Sequence, residues 1–389
     1  MRIVHIANFY GPNSGGIKTT LHELGRGYKK LGHEFFYIVP GSMYLREETP
    51  YGIKLSLPSF ILPGSGGYRI IKSNRLLKSE ISALLPDRIE ISDRFTLLSI
   101  GPWARIRNIP TVVFSHETLM GLAERFLPKY LPRRTLVKWH NRKLSKNFDQ
   151  VIATTDFAAK EFREIERKNI VKVPLGVDLE IFQPSNRSEE LRSELLHGAD
   201  LLLVHCGRLS PEKEPQTSIE ALRELLSMGI RARLVIVGTG PMWHRMRKEA
   251  AGLPVEFLGY VADRKNVAAI LSSADISLAP GPLETFCLSA LESLASGTPV
   301  VASSKSAVGE FLRLSTENPA GAVAGNTGAE FAEAIFRIMN RMELRTSARA
   351  VAEALPWDKS ITRMLDIHGI EHIGKMAPVA STKRKFTAA

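Results

Sequence analysis

The amino-acid sequence predicts an α/β protein in which two Rossmann-like parallel-sheet domains face each other across a cleft. Three observations lead to this fold class. The chain has 389 residues, which is enough for two domains. Short β-rich runs alternate with helical patterns in both halves of the chain, and this alternation is typical of parallel βαβ units. A segment rich in turn residues, 174–185, separates the two series and would act as a hinge.

The first series covers residues 1–175 and is predicted to form the N-terminal domain. Strands are expected where apolar and β-branched residues occur together, and helices where apolar residues recur at helical spacing. The predicted strands are residues 3–7, 34–39, 89–92, 111–114 and 151–154. The predicted helices are residues 16–31, 69–84 and 157–165.

The second series covers residues 176–356 and is predicted to form the C-terminal domain. Its predicted strands are residues 201–206, 233–237, 255–258, 276–279 and 299–302, and its helices include 215–228 and 267–272. A further helix at about residues 357–374 is expected to pack back on the N-terminal domain. The basic segment 375–389 is predicted to be a disordered tail.

The composition restricts the class of protein to which the chain can belong. Hydrophobic residues make up 44% of the sequence and charged residues 24%, as in an ordinary globular protein. Two cysteines, Cys206 and Cys287, cannot staple a chain of this length and indicate a reducing cytosol. The first apolar run is too short for a signal peptide, and no window approaches 18 uninterrupted apolar residues. We therefore expect a cytoplasmic protein without a membrane-spanning helix.

An excess of basic residues predicts an anionic partner. The formal net charge is +12, and residues 125–146 contain eight Lys or Arg and no Asp or Glu. Apolar and aromatic residues are interleaved with them, as in helices that lie on an anionic membrane, and a second such stretch surrounds residues 68–72. The alternative for each stretch is a solvated helix face. The candidate membrane or acceptor surface comprises Tyr68, Arg69, Lys72, Arg133, Arg134 and Lys138.

Nucleic acid is a second possible partner for a chain of this charge. Aromatic residues make up only 7% of the sequence, and no nucleic-acid-binding module is recognised. We therefore expect no nucleic-acid partner.

Segment 284–292 is the most informative part of the sequence, because two glutamates flank the predicted start of a helix. Thr285 is predicted to be the N-cap, so that the N–H groups of the first turn are free to bind phosphate. These N–H groups belong to Phe286, Cys287 and Leu288. Glu284 and Glu292 at the two ends of such a site suit a sugar nucleotide, which has hydroxyl groups on both sides of its diphosphate. The alternative is a capped helix with two surface glutamates.

Other loops that follow predicted strands carry residues suited to the same ligand. Arg208 and Lys213 follow strand 201–206 and can neutralise a diphosphate; the alternative is two solvated loop charges. Asp263 can pair with a guanine base or cap the next helix. His116 lies at the exit of a strand of the first domain, a position that favours a functional role over a structural one. Glycines that permit close backbone approach to a ligand are Gly15, Gly16 and Gly238.

Taken together, these residues resemble glycosyltransferase family 4, whose members are retaining transferases of the GT-B fold. The resemblance covers nearly the whole chain and rests on the order and spacing of motifs that are weak singly. These are Gly15-Gly16, His116 and residues 174–178, 207–213, 237–241, 257–263, 284–292 and 296–301. Within the family, the chain is most similar to actinobacterial phosphatidylinositol mannoside mannosyltransferases of the PimC type. The shared stretches are residues 7–16, 66–69, 92–94, 115–117 and 204–210.

The resemblance implies GDP-mannose as donor and a mannosylated phosphatidylinositol, reached at the inner face of the plasma membrane, as acceptor. It implies that Arg208 and Lys213 hold the donor diphosphate. It further implies that Glu284 contacts the hexose, Glu292 the ribose, and that His116 lies near the transferred sugar. The remaining donor contacts that it implies are the backbone around Phe286, Cys287 and Leu288 for phosphate and Val261 and Asp263 near the base.

The sequence departs from the family pattern at positions that affect phosphate and nucleotide positioning rather than the reaction class. Relatives often carry Gly where Cys287 and Glu214 stand, and a glycine pair near Ser306-Ala307. No Asp-x-Asp motif stands in a suitable loop and no His/Cys cluster has ligand spacing, so we predict that no metal or other cofactor is needed.

Three alternatives to this function remain open at the level of sequence. The first is a GT-B enzyme with another donor or a soluble acceptor, or a sugar-nucleotide epimerase. The second is a nucleic-acid-binding protein, and the third is a non-catalytic lipid-binding relative. The sequence makes no prediction of the oligomeric state.

Overall fold

The computed structural model describes residues 1–11, 15–62, 67–165, 168–314 and 319–370. The predicted tail 375–389 lies outside these ranges, as do residues 12–14 and Gly66 of the shared stretches. The described residues form two α/β domains, each built on a sheet of mainly parallel strands. None of the helices within these ranges is long and apolar enough to span a membrane.

The sheet of the N-terminal domain has the strand order β3-β4-β2-β1-β6-β7-β8-β9, and β5 pairs with the last residues of β4, 59–61. Its strands are β1 (Arg2–Ile6), β2 (Glu34–Gly41), β3 (Leu45–Thr49), β4 (Gly52–Ile61), β5 (Arg69–Ile71), β6 (Arg88–Ile91), β7 (Thr111–Ser115), β8 (Gln150–Ala153) and β9 (Ile170–Lys172). Among the strands in the described ranges, only the β3–β4 and β4–β5 pairs are antiparallel. The five predicted strands are confirmed as β1, β2, β6, β7 and β8.

The helices of this domain correct two predictions. They are α1 (Gly16–Lys30), α2 (Asn74–Leu84), α3 (Ile100–Arg105), α4 (Leu119–Phe126), α5 (Arg133–Asn147) and α6 (Asp156–Lys160). The helix predicted at 69–84 is wrong at its start, because Arg69–Ile71 pairs with β4 and the Ser73 side chain caps α2 by accepting the Leu76 N–H. The stretch around residues 68–72 is therefore not a helix lying on a membrane. The helix predicted at 157–165 ends early, at Lys160.

The sheet of the C-terminal domain has the order β12-β11-β10-β13-β14-β15, and every pair is parallel. Its strands are β10 (Leu201–Cys206), β11 (Ala232–Val237), β12 (Val255–Gly259), β13 (Ile276–Ala279), β14 (Val300–Ser303) and β15 (Gly321–Ala324). The five predicted strands are confirmed as β10 to β14. The helices are α7 (Glu189–Leu196), α8 (Gln216–Ser227), α9 (Trp243–Glu249), α10 (Arg264–Ser273), α11 (Leu288–Ala295), α12 (Val308–Leu312), α13 (Gly328–Ile338) and α14 (Glu343–Glu353), with short 3₁₀ helices at Pro184–Asn186 and Pro211–Lys213.

The last described helix, α15 (Trp357–Ile367), returns from the C-terminal domain and packs on α1. The contact is close because Gly27 has no side chain: a Cβ there would lie 2.2 Å from Ile361 Cδ1. Beyond the helix, the carbonyl of His368 accepts a hydrogen bond from Arg88 Nε at 3.0 Å. The chain therefore crosses between the domains twice.

Candidate active site

Helix α11 begins two residues later than the sequence predicts. Its N-cap is Cys287 and not Thr285, and no side chain caps it. The free N–H groups at the start of the helix therefore begin at Leu288. The side chain of Phe286 is buried, and its ring packs against that of Phe311 with 5.5 Å between centroids.

Thr285 fails to cap α11 because it is engaged by the other domain. Its hydroxyl donates a hydrogen bond to the His116 carbonyl. Its own carbonyl accepts hydrogen bonds from the hydroxyls of Thr154 and Thr155, at 3.1 and 2.8 Å. These contacts bring the phosphate loop, residues 280–287, against the carboxyl ends of β7 and β8. Ligands of open α/β sheets bind at such strand ends.

The two positions where relatives often carry glycine both have a left-handed backbone. Cys287 has φ of +69° and Glu214 has φ of +44°. Glycine adopts this conformation without the steric cost that a Cβ atom brings, which amounts to about 1–2 kcal/mol. Cys287 and Glu214 thus occupy a backbone conformation that is strained for a residue with a side chain. Burial raises the pKa of the Cys287 thiol to about 12, so the residue is an uncharged side chain beside the predicted phosphate site.

Substitutions at Cys287 test this reading of the phosphate loop. We expect Cys287→Gly to keep transferase activity and to change the free energy of unfolding by no more than about 1 kcal/mol, because relief of strain offsets lost packing and added chain entropy. Cys287→Val should lower both, since a β-branched residue fits this conformation worst. Urea denaturation and initial rates measure the two effects. Equal stability of the Gly and Val variants would contradict the backbone strain inferred at Cys287.

Lys213 and Glu284, which were both predicted to contact the donor, form an ion pair through Lys213 Nζ and Glu284 Oε1. Lys213 ends the 3₁₀ helix after β10, and Glu284 stands in the phosphate loop after β13. Burial opposes the charge of Lys213, but the nearby Glu284 carboxylate raises the pKa of the lysine above its usual value. Gly281 permits this approach, since a Cβ there would lie 3.3 Å from the Lys213 Cα. A permanently charged ammonium group therefore lies beside the phosphate loop.

Arg208 and Tyr68 lie against each other across the cleft. The Arg208 guanidinium carbon is 4.5 Å from the centroid of the Tyr68 ring, a cation–π contact between the domains. The Tyr68 ring also packs edge-on against Phe9, with 5.8 Å between centroids. Tyr68 therefore lies at the cleft, next to Arg208, which is predicted to bind the diphosphate. The prediction that Tyr68 belongs to a membrane-facing helix is wrong.

Arg264 joins Glu292 to the N-terminal domain and was missed by the sequence analysis. Its guanidinium contacts Glu292 Oε1 at 3.4 Å and Glu23 Oε1 at 2.9 Å. The same group lies 5.2 Å from the ring centroid of Phe182. Glu292 is thus paired with a guanidinium that also contacts Glu23 of the N-terminal domain. The only signal in the sequence was the position of Arg264, directly after Asp263.

The raised pKa of Glu292 gives a test of this pairing. Burial raises the pKa to about 7, against an ordinary 4.5, although Arg264 lowers it. The folded state therefore binds the proton more tightly, and the associated stability is present below pH 4.5 and lost as the pH rises through about 7. In wild type, the unfolding free energy should decrease between pH 4.5 and 8 as Glu292 loses its proton. In Glu292→Gln this decrease should be absent when both proteins are measured by urea denaturation. The exposed Glu353→Gln is the control; parallel curves for wild type and Glu292→Gln would contradict the raised pKa.

His116 lies at the exit of β7, half-buried at the domain interface. Its Nε2 is 2.9 Å from Ser92 Oγ, and its ring stacks on that of Phe114 at a centroid distance of 5.5 Å. Burial, with a smaller contribution from His5, lowers the pKa of His116 to about 3. The ring is therefore uncharged at neutral pH. It can exchange hydrogen bonds with a substrate hydroxyl, but it does not neutralise phosphate.

The other predicted donor residues differ in how closely the structure ties them to the cleft. Gly238 has φ of +130°, and a Cβ there would lie 2.0 Å from the Gly207 carbonyl, so only glycine lets these two loops meet. Asp263 is the N-cap of α10 and accepts the Lys265 N–H at 2.9 Å, as the structural alternative expected. Val261 is partly buried against the core. Gly15 and Gly16 start α1 with open space at their Cβ positions.

The predicted surface residues fall into two groups. Lys72 and Arg134 are exposed, whereas Arg133 donates a hydrogen bond to the Leu127 carbonyl and Arg69 donates one to Ser59 Oγ at 3.1 Å. Lys138 is 3.7 Å from Glu164. Helix α5 carries the more continuous surface: its exposed side chains include Arg134, Leu136, Trp139, Arg142, Lys143 and Lys146.

Two sequence families match the chain, one in each domain. Residues 14–181 match the family described as Glycosyltransferase Family 4. Residues 200–341 match the family described as Glycosyl transferases group 1. The two matches together cover both faces of the cleft.

Individual relatives extend the similarity to almost the whole chain. The GDP-mannose-dependent alpha-(1-6)-phosphatidylinositol dimannoside mannosyltransferase of Mycobacterium tuberculosis (strain ATCC 25177 / H37Ra) is 44% identical over 371 residues, which are 94% of this chain and 95% of the relative. The alpha-monoglucosyldiacylglycerol synthase of Streptococcus pneumoniae is 27% identical over 78% of this chain and 71% of its own length.

Solved structures share the fold at lower identity. Sucrose-phosphate synthase from Thermosynechococcus elongatus matches with a TM-score of 0.75 at 20% identity, over 95% of this chain and 98% of its own. Anabaena HepE in complex with UDP matches with a TM-score of 0.72 at 17% identity, over 94% of this chain and 99% of its own. These structures show the arrangement of the two domains, and the sequence matches show the family. The chain belongs to glycosyltransferase family 4 and has the GT-B fold.

Proposed function

We propose that this protein transfers mannose from GDP-mannose to a phosphatidylinositol mannoside, with retention of the anomeric configuration, at the cytoplasmic face of the membrane. The observation that carries the proposal is the ion pair between Lys213 and Glu284. Glu284 lies in the phosphate loop, and Thr285 of that loop donates a hydrogen bond to the His116 carbonyl. The Mycobacterium tuberculosis relative, 44% identical over 94% of the chain, supports the choice of donor and acceptor. Phosphatidylinositol dimannoside is therefore the first acceptor to test.

The donor half of the site would stabilise the charge that develops on departing GDP. Lys213 supplies a charged ammonium group, and Arg208 lies within the same cleft. The N-terminus of α11 adds free N–H groups from Leu288 onward. Preorganised donors of this kind contribute about 3–4 kcal/mol each to the stabilisation of a transition state. Glu284 would hold Lys213 in place and accept hydrogen bonds from the hexose.

We propose that these cations act in place of a metal ion. No group of three His, Cys, Asp or Glu side chains within the described ranges is arranged to hold a metal. That transfer needs no metal ion remains a prediction. Its test is the transfer rate in EDTA, before and after addition of Mg²⁺ or Mn²⁺.

The mechanism that suits this cleft is attack by the acceptor hydroxyl on the same face from which GDP departs. The departing phosphate would take the proton of that hydroxyl, so no separate base is needed. His116 is uncharged and would position a hydroxyl group rather than carry charge. Contacts between the domains, such as Thr285 to His116, would help to exclude water from the reacting centre.

The acceptor half would lie on the membrane side of the N-terminal domain. Helix α5 presents Trp139 and Leu136, 59% and 41% exposed, among its basic residues. The Lys143 ammonium lies 5.1 Å from the centroid of the Trp139 ring. An exposed aromatic ring surrounded by cations suits the interface of an anionic leaflet.

The experiment that tests the function is a donor panel. The purified chain is incubated with GDP-mannose, GDP-glucose, UDP-glucose or ADP-glucose, and with vesicles that contain phosphatidylinositol dimannoside. We expect GDP-mannose to be the one donor of the four whose nucleotide is released, and we expect this release to require the lipid. Release without lipid would indicate hydrolysis, and a preference for another donor would assign a different family 4 activity.

A further inference from the structure

Arg264 links the glutamate that is predicted to contact the ribose to the opposite domain. Its guanidinium is divided between two carboxylates: Nη1 lies 2.9 Å from Glu23 Oε1, and Nη2 lies 3.4 Å from Glu292 Oε1. Glu23 belongs to α1 of the N-terminal domain, whereas Glu292 belongs to α11 of the C-terminal domain. We call the side chains of Glu23, Arg264 and Glu292 the Arg264 clasp.

The guanidinium of Arg264 is restrained from further sides. It lies 5.2 Å from the ring centroid of Phe182, a buried residue of the hinge segment 174–185. Glu23 is itself fixed by Arg26, whose Nη1 lies 2.7 Å from Glu23 Oε2. A guanidinium is planar and presents its N–H groups in a rigid fork, so these contacts together set its orientation. Because the Glu23 and Glu292 side chains are only 6% and 17% exposed, solvent screens the two ion pairs of Arg264 less than it screens surface pairs.

The contact with Arg264 leaves part of the Glu292 carboxylate open to a ligand. Burial raises the pKa of Glu292 to about 7, Arg264 lowers it, and the nearby carboxylates of Glu23 and Asp178 add to the rise. Above that pH, Glu292 is a carboxylate whose two oxygens both accept hydrogen bonds. Oε1 accepts from Arg264, and Oε2 has no hydrogen-bond partner among the described residues. One oxygen therefore remains for a hydroxyl group of a ligand.

We propose that Arg264 is a positioning residue for the donor nucleotide: Glu23 keeps its guanidinium on one oxygen of Glu292, which leaves the other oxygen to accept a hydrogen bond from a ribose hydroxyl. The inference rests on the proposed function for the choice of nucleotide. Without Glu23, the guanidinium would either turn to take both oxygens of Glu292 or move away from the carboxylate. Either change would weaken the ribose contact, so the N-terminal domain contributes to nucleotide binding through Arg264.

The test compares two ligands that differ only in the ribose hydroxyls. Binding of GDP and of 2′,3′-dideoxy-GDP is measured by titration calorimetry at pH 8, where most of Glu292 is ionised. Wild type should bind GDP about 10- to 100-fold more tightly than the dideoxy form, the usual effect of a hydrogen bond to a charged group. Arg264→Gln should weaken GDP binding about 10-fold and change the dideoxy affinity by no more than about two-fold, because a ligand without ribose hydroxyls does not sense the position of Glu292.

Further variants test the contribution of the N-terminal domain and control for the change of charge. Glu23→Ala should weaken GDP binding about three- to ten-fold and leave the dideoxy affinity unchanged, as Arg264→Gln does. Since Glu23 acts through Arg264, Glu23→Ala should have no further effect in the Arg264→Gln background. Lys265→Gln is the matched control, because it removes one positive charge from the next residue of α10, which is exposed. It should leave both affinities at their wild-type values.

Equal losses of GDP and dideoxy-GDP affinity in Arg264→Gln would overturn the proposal, because a lost phosphate or base contact, or a general effect on structure, weakens both ligands alike. Wild type without a preference for GDP over its dideoxy form would overturn it as well, as would additive losses in the double variant. If Arg264→Gln fails to fold, Glu23→Ala alone decides by the same comparison. Wild type that binds UDP and not GDP would refute the proposed donor but not the inference, which UDP and 2′,3′-dideoxy-UDP would then test; binding of neither nucleotide would overturn both.

Discussion

Replacing Lys213 by alanine is expected to reduce the kcat for mannose transfer by about 10²- to 10³-fold, the usual effect of removing one preorganised donor from a developing anion. Lys213 is the charged group that the structure ties most closely to the phosphate loop, through its pair with Glu284. The substitution also leaves Glu284, whose side chain is only 12% exposed, without its counter-charge. Donor binding should therefore weaken together with turnover. Initial rates at several GDP-mannose concentrations measure both parameters.

Two companion variants separate the role of charge from the role of the pair. Lys213→Arg keeps the charge, so it should retain more activity than Lys213→Ala. Glu284→Gln keeps the size of the side chain but removes the charge that holds the lysine, and it should lose activity while the protein stays folded by circular dichroism. Lys248→Ala, on the exposed face of α9, is the matched control. Wild-type turnover by Lys213→Ala would refute the assignment of the donor site.

Neutralising the basic surface of α5 is expected to weaken binding to anionic vesicles by about 10³-fold. Each basic residue near an anionic leaflet contributes about 1 kcal/mol, so four substitutions remove about 4 kcal/mol. The four exposed positions are Arg134, Arg142, Lys143 and Lys146, each changed to Gln. Sedimentation with vesicles containing phosphatidylinositol measures the partition coefficient. Salt should weaken wild-type binding in the same way, because the attraction between charges is screened.

The control for this experiment removes the same charge elsewhere. Arg223, Arg245, Arg247 and Lys248 are exposed on the C-terminal domain, and changing all four to Gln should leave vesicle binding near the wild-type value. Kinetics with a soluble acceptor analogue should be unchanged in the α5 variant, since α5 is proposed to bind the membrane and not the sugar. Equal binding of wild type to neutral and anionic vesicles would contradict the electrostatic part of the account.

The parallel strands could be predicted from sequence because they are buried runs bounded by turn residues. Strand β10 is an example: its six residues are almost all apolar, and its predicted ends agree with the structure. Strand β3 could not be found in this way, because its sequence LREET is mostly charged and it forms an edge that faces solvent. Residues 69–71 were assigned to a helix for a similar reason. They pair with residues 59–61 of β4, and the periodicity within a single segment does not report such a pairing.

In the candidate site, too, residues could be predicted from their place in the local sequence, whereas contacts between the domains could not. Lys213 and Glu284 were predicted because each follows a strand at the carboxyl edge of one sheet, where such residues meet. The start of α11 was predicted wrongly, since Thr285 hydrogen-bonds to His116, 169 residues away in sequence. Arg264 was missed because its contact with Glu23 joins the two domains. The contacts between the domains therefore moved the start of α11 and added Arg264 to the residues predicted from the sequence.

The most direct test of the account is the product formed from GDP-mannose and phosphatidylinositol dimannoside in vesicles, identified by mass and by the anomeric signals of the added sugar in NMR. We expect wild type to form a lipid that is heavier by one mannose, with the new linkage in the α configuration, and Lys213→Ala to form none of it. A β linkage would contradict retention. The absence of any mannosylated lipid, with GDP-mannose either untouched or merely hydrolysed, would contradict the function assigned to the cleft.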